Sequence, residues 1–119
     1  MLNNDFSFPS KSRLKKPSEY KKVFTKHVKS SDRYFTLLAI KNDFNYPRLG
    51  LAIAKKQIKK AVDRNVIKRI IRENFRLQHQ LGNVDIVVLA RKEAVDVPCE
   101  LLRKSLEWHW HKLVNRCVI

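Results

Sequence analysis

Apolar positions along the chain recur with more than one period, and the changes of period mark its elements. Between Lys60 and Arg76 the spacing is helical. With Lys60 at zero and about 100° per residue, Val62, Val66, Ile67, Ile70 and Ile71 fall on one side. Arg64, Lys68, Arg72 and Arg76 fall on the other, with Asn65 and Arg69 beside them. Residues 34–40 are β-branched and aromatic enough for a strand, closed by the turn sequence Asn42-Asp43-Phe44-Asn45-Tyr46-Pro47. Residues 48–54 predict a second strand with unequal faces. Leu49, Leu51 and Ile53 fill one side, while Gly50, Ala52 and Ala54 leave the other nearly bare, open to close approach by a helix or a ligand backbone. Val84-Asp85-Ile86-Val87-Val88-Leu89-Ala90 is an apolar run typical of a strand covered on both faces.

Pro17-Ser18-Glu19 marks the start of an earlier helix, with Ser18 as the expected cap. That helix should run to about His27 and place Tyr20 and Phe24 one turn apart on a shared face. Gly82 is a stop signal beyond the basic helix. Asp96 and Pro98 introduce a last helix reaching about Asn115, with Leu101, Leu102, Leu106, His109 and Leu113 as its expected core face.

The predicted order is α-β-β-α-β-α, a single α/β sandwich around a central sheet. One domain spans residues 1–119, and its first fifteen residues form a basic extended arm that Phe6, Phe8 and Pro9 could anchor. The segment from Leu49 to Leu89 is long enough for a strand–helix–strand crossover. Pattern fixes neither its parallelism nor its hand, and a parallel crossover is right-handed by default. No apolar run approaches the ~20 residues of a membrane span. The N-terminus lacks a secretory layout. Cys99 and Cys117 fall near opposite ends of the last helix, roughly 27 Å apart at 1.5 Å per residue, too far to bridge. Free thiols and a cytoplasmic location are the expectation.

Charge changes the picture from a fold to a partner. The chain carries 26 Lys+Arg against 11 Asp+Glu, a net +15. Residues 11–29 and residues 55–76 are each net +7, so 14 of the 15 excess charges sit in two segments. Two positive surfaces on a near-neutral scaffold cost self-repulsion and are the footprint of a nucleic-acid binder.

Catalytic apparatus is absent by pattern. Two glycines cannot build a phosphate-cradling loop. There is no Cys-x-x-Cys and no His-Glu-x-x-His. His109 and His111, two apart on a helix, do not share a face. The acids are scattered, whereas nuclease chemistry by protein side chains needs clustered carboxylates for two metals. No metal site and no catalytic residue is assigned to the chain.

Arg48-Leu49-Gly50-Leu51-Ala52-Ile53-Ala54-Lys55-Lys56 followed by Ala61-Val62-x-Arg64-Asn65-x-Ile67-Lys68-Arg69-x-x-Arg72-Glu73-x-Phe75-Arg76 closely resembles the protein subunit of bacterial ribonuclease P. Arg13-Leu14-x-x-Pro17-Ser18-Glu19-Tyr20-x-x-Val23-Phe24 and Asp85-Ile86-Val87-Val88-Leu89-Ala90-Arg91-Lys92 fit the same family, and the likeness covers about residues 8–115. The resemblance implies an α/β sandwich with a left-handed crossover. It also implies a ribonucleoprotein endonuclease that removes the 5′ leader of precursor tRNA. The catalytic RNA holds the Mg2+ ions, and the protein supplies no catalytic side chain. The implied partners are that RNA and precursor tRNA, with no membrane and no obligate protein partner.

By position, the resemblance puts Arg64, Asn65, Lys68, Arg69 and Arg72 on the helix that docks the catalytic RNA. Arg76, Lys55, Lys56 and Lys60 are expected to add contacts, since Arg forks onto phosphates and Asn pairs with sugars or base edges. Val66 stands where many members carry a third polar contact, so none is assigned there. Spacing alone lets Tyr20 and Phe24 be a core pair or a stacking platform. The resemblance favours a cleft for the single-stranded leader, with Tyr34 and then Phe8 as weaker members. Two alternatives follow from charge alone: a ribosomal or general RNA-binding module without a processing role, and a helix-turn-helix DNA binder. The second lacks a helix joined by a short turn to residues 61–77.

Overall fold

A computed structural model describes residues 10–117. Three helices, α1 (Pro17–Thr25), α2 (Ala61–Arg76) and α3 (Cys99–Cys117), surround a four-stranded sheet. The strands are β1 (Val28–Ser31), β2 (Phe35–Lys41), β3 (Arg48–Ala52) and β4 (Val84–Ala90), in spatial order β1-β2-β4-β3. β2 pairs antiparallel with β1 and β4, whereas β3 and β4 run parallel. The β3–α2–β4 unit is therefore the crossover that the chain length allowed. Phe6, Phe8 and Pro9 lie outside the described residues.

The sheet separates two layers of unequal depth. Leu37, Leu49, Ile86 and Val88 face α2 and α3, where Ile67, Ile70, Ile71, Phe75, Leu106 and Trp110 complete the main core. On the other face Leu38 and Val87 meet Leu14 and Val23 in a smaller cluster under α1. Burial of each such side chain stabilises the fold by about 1.5–3 kcal/mol. Two ring contacts pin α2 to α3. The Trp110 indole N–H donates to Asn74 Oδ1 at 2.6 Å, and the Phe75 and Trp110 rings meet edge-on at 5.8 Å.

Four sequence expectations are corrected. First, β1 adds a fourth strand that carries only one partly buried apolar residue, Val28. Its inward Ser30 is instead satisfied by His109 Nδ1 at 2.6 Å, so apolar alternation could not reveal it. Second, α1 ends at Thr25, and its N-cap is Lys16 rather than Ser18. Glu19 caps the helix by accepting the N–H groups of Lys15 at 2.7 Å and Lys16 at 2.9 Å, which leaves the Ser18 side chain exposed. Third, Leu101 is 43% exposed; the buried stripe of α3 is Leu102, Ser105, Leu106, His109, Trp110 and Leu113. Fourth, Val62 is 64% exposed, because the first turn of α2 leaves it unpacked.

The buried polar groups tie layers together. His109 is fully buried, and burial keeps it below its ordinary pKa despite Asp32 Oδ1 at 3.3 Å from its Nε2. Burial pushes the Asp32 carboxyl up. Hydrogen bonds from the Ser105 hydroxyl and from the N–H groups of Phe35 and Tyr34, with the His109 ring close by, outweigh that and hold it below its usual value.

Candidate RNA interface

α2 presents the cationic arc anticipated from its periodicity. Asn65 and Arg69 are exposed, while Lys68, Arg72 and Arg76 are half-buried along one stripe. Val66 packs against the main core on the opposite side. Lys55, Lys56 and Lys60 are exposed in the segment leading into the helix. Arg64 differs from its neighbours: its Nη1 donates to the carbonyls of Ile58 at 2.9 Å and Lys59 at 2.8 Å. One end of that guanidinium is thus committed to holding the preceding loop, and only the remainder faces outward.

The arc continues onto the edge of the sheet. Lys68 and Arg72 join Arg13, Leu14, Tyr20, Leu49 and Leu51 around a cleft of about 140 Å³. β3 is an edge strand, and unpaired edge groups invite unwanted pairing. Here they are occupied. The Leu14 N–H donates to Leu49 O at 2.9 Å, and the Leu51 N–H donates to the Tyr20 hydroxyl at 3.3 Å. The described end of the basic arm therefore lies against β3, and Arg13 joins the site, a contribution its position before Leu14-x-x-Pro17 did not disclose.

The bare stripe on β3 is filled by an aromatic ring. A Cβ added to Gly50 would stand 2.7 Å from Tyr20 Cε1 and 2.9 Å from Leu14 Cδ1. Tyr20 and Phe24 share the helix but not an environment. Tyr20 is half-buried and hydrogen-bonded, whereas Phe24 is 43% exposed. Tyr34 packs against the main core, away from the α1 layer, with the Arg33 guanidinium 5.9 Å from its ring.

α1 is set on the sheet by an ion network. Arg48 grips Asp85 with two bonds, Nε to Oδ1 at 2.8 Å and Nη2 to Oδ2 at 2.7 Å, and reaches Glu19 with Nη1 at 2.9 Å. Asn42 donates a further bond to Asp85 at 2.8 Å. The Lys16 and Lys15 N–H groups, with Arg48 behind them, hold the Glu19 carboxyl down to about 2. Beyond α1 the sheet face stays open. There Arg91 donates to the hydroxyls of Ser31 at 3.0 Å and Thr36 at 3.2 Å. These partners come from sequence positions too distant for pattern reading to join.

Among the described residues no group of three or more His, Cys, Asp or Glu gathers as a metal site. No helix there is long and apolar enough to cross a membrane. The surface is equipped for phosphates and for unpaired bases.

Comparison with known proteins agrees in kind. The Ribonuclease P family profile matches residues 8–114. The Ribonuclease P protein component of Methylococcus capsulatus is 50% identical over 113 residues, covering 94% of this chain and 88% of that relative. That of Photobacterium profundum is 49% identical over 111 residues, covering 92% and 94%. Among solved structures, the Staphylococcus aureus RNase P protein superposes with a TM-score of 0.77 at 35% identity, over 86% of this chain and 94% of its own. The Thermotoga maritima protein gives 0.76 at 30% identity, over 84% and 96%. With its sequence matched nearly end to end and its fold matched as closely, the chain belongs to the ribonuclease P protein family.

Proposed function

We propose that this chain works in a ribonucleoprotein in which RNA performs the cleavage and the protein holds both the RNA subunit and the substrate. The α2 arc, from Lys60 through Arg76 with Lys55 and Lys56 ahead of it, docks the catalytic RNA. Asn65 and Arg69 make outward contacts, and Arg64 shapes the loop that presents Lys59 and Lys60. The groove between α1 and the open sheet face receives the single-stranded 5′ leader of precursor tRNA, with Phe24 as its exposed stacking surface and Tyr20 as its wall. Magnesium ions held by the catalytic RNA supply activation of the attacking water. Such a complex operates in the cytoplasm, where precursor tRNA is made.

The observation that carries this reading is the division of labour on the surface. A cationic helix face meets one aromatic ring at the β3 edge, where Arg13, Lys68 and Arg72 surround Tyr20, and a second ring, Phe24, stands exposed on the same helix. A general RNA-binding module needs the cationic face but not the rings. The test is a binding comparison in the presence of a bacterial ribonuclease P RNA. Precursor tRNA should bind more tightly than mature tRNA, and Phe24→Ala should narrow the gap while leaving assembly with the RNA intact. Equal binding of the two tRNAs by the wild-type complex would remove the leader role.

A further inference from the structure

The charge of residues 11–29 is not exhausted by the leader groove. On α1, Lys22 lies on the flank opposite Tyr20 and Phe24, given about 100° per residue, and Lys26 follows at the C-cap just beyond the helix. That flank faces Ile40 near the end of β2, where two open troughs, of about 390 and 360 Å³, share Lys26 and Ile40. The second is lined by His27, Val28, Ala39, Lys41 and Arg116 besides those two. Cations from α1, β2 and α3 thus converge on an apolar floor, with no acidic side chain among the lining residues of either trough. Arg116 is held there by a bond from Nη1 to the Lys29 carbonyl at 2.5 Å.

An apolar floor with a cationic rim suits one chemistry above others, an unpaired nucleotide strand with phosphates on the rim and a base on the floor. The trough opens where α1 ends: the chain leaves the helix after Thr25, and Lys26 and His27 beyond it are among the lining residues. His27 Nδ1 lies 2.9 Å from the Val23 carbonyl, which can only accept. In the neutral ring Nε2 is then an acceptor, suited to a ribose hydroxyl.

We propose that this trough is a distal single-strand site, which receives leader nucleotides upstream of those in the groove after the strand turns the C-terminal end of α1. The inference rests on the leader reading above. Its test uses the full chain assembled with a bacterial ribonuclease P RNA, and precursor tRNAs with leaders of about 4 and about 12 nucleotides, the span of single-strand site sizes. Lys26→Ala/Lys41→Ala should weaken binding of the long-leader precursor by about 25-fold at 0.1 M salt, since removing two lysine–phosphate pairs takes about 1.4 from the salt slope. The short-leader precursor should bind the variant as it binds wild type.

Equal losses for both leaders would show general electrostatics and overturn the proposal, as would no loss for either. Weakened assembly with the RNA subunit alone would assign the trough to that RNA and also overturn it. Failure of the underlying leader reading shows separately, as wild-type complexes that do not distinguish the short-leader precursor from mature tRNA.

Discussion

Gly50→Ala is the most informative single perturbation, because one methyl group tests whether Tyr20 is placed by the β3 edge. The added Cβ would lie 2.7 and 2.9 Å from Cε1 and Cζ of Tyr20 and 2.9 Å from Leu14 Cδ1, well inside ordinary contact. The ring has to retreat, and its hydroxyl then loses the Leu51 N–H now 3.3 Å away. Overpacking of this kind costs about 1–3 kcal/mol, and breaking the hydrogen bond adds about 1 kcal/mol. At ~2.1 cal/mol/K per residue, 119 residues have an unfolding entropy of about 0.25 kcal/mol/K. A loss of about 2 kcal/mol therefore lowers Tm by about 8 °C, which thermal melting resolves easily. Assembly with the catalytic RNA should hold, since α2 is built on the other sheet face, while discrimination of precursor from mature tRNA should fall. A Gly50→Ala variant that melts with wild type and keeps full discrimination would refute the placement of Tyr20 over Gly50. Tyr20→Phe separates the two contributions, because it removes the hydroxyl and leaves the ring.

Arg69→Ala should lower the salt slope of assembly with the catalytic RNA by about one unit, because one phosphate is no longer neutralised. Arg64→Ala should weaken assembly too, and should also speed amide exchange around Ile58 and Lys59, because Nη1 no longer bridges their two carbonyls; unchanged exchange would place Arg64 wholly on the RNA side. Glu19→Gln should flatten the acid limb of stability. The carboxyl is held down to about 2 from 4.5, so its contribution is complete above about 4.5 and is lost as pH falls toward 2. Denaturant melts of wild type and variant that stay parallel across that window would contradict the Glu19 capping network. Trp110→Phe should cost about 1–3 kcal/mol by leaving the buried Asn74 Oδ1 with only the long bond from Gln78 Nε2 at 3.4 Å, and Asn74→Ala in the same background should recover part of the loss.

Much of this is legible in the sequence alone, for physical reasons that differ by element. α2 can be read because helical periodicity sorts Ile67, Ile70 and Ile71 from Lys68, Arg69 and Arg72 without outside information. β4 can be read because burial on both faces demands a largely apolar run, broken in residues 84–90 only at Asp85. The small stripe of β3 announces a close approach, although only the fold identifies the visitor as Tyr20. β1 cannot be read, since Ser30 is satisfied by His109, a residue 79 positions away. The α1 cap escapes because the helix already begins at Pro17, which puts Ser18 inside the first turn and Glu19 at the third helical position, where it accepts the N–H groups of Lys15 and Lys16. Leu101 falls one position off the core face, since Ser105 and Trp110 shift the buried stripe of α3 around the helix. The interface is legible as a set of cations. Its joining of Arg13, Tyr20, Lys68 and Arg72, and the partial commitment of Arg64 to its own loop, depend on tertiary packing.

The central claim is that the active centre belongs to an RNA partner while this chain positions that RNA and the substrate. The most direct measurement follows 5′ cleavage of a precursor tRNA at low magnesium by a bacterial ribonuclease P RNA alone, by this protein alone, and by the two together. The account predicts cleavage at the mature 5′ end only in the combined reaction. Cleavage by the purified protein without RNA, or no stimulation when the two are mixed, would contradict it.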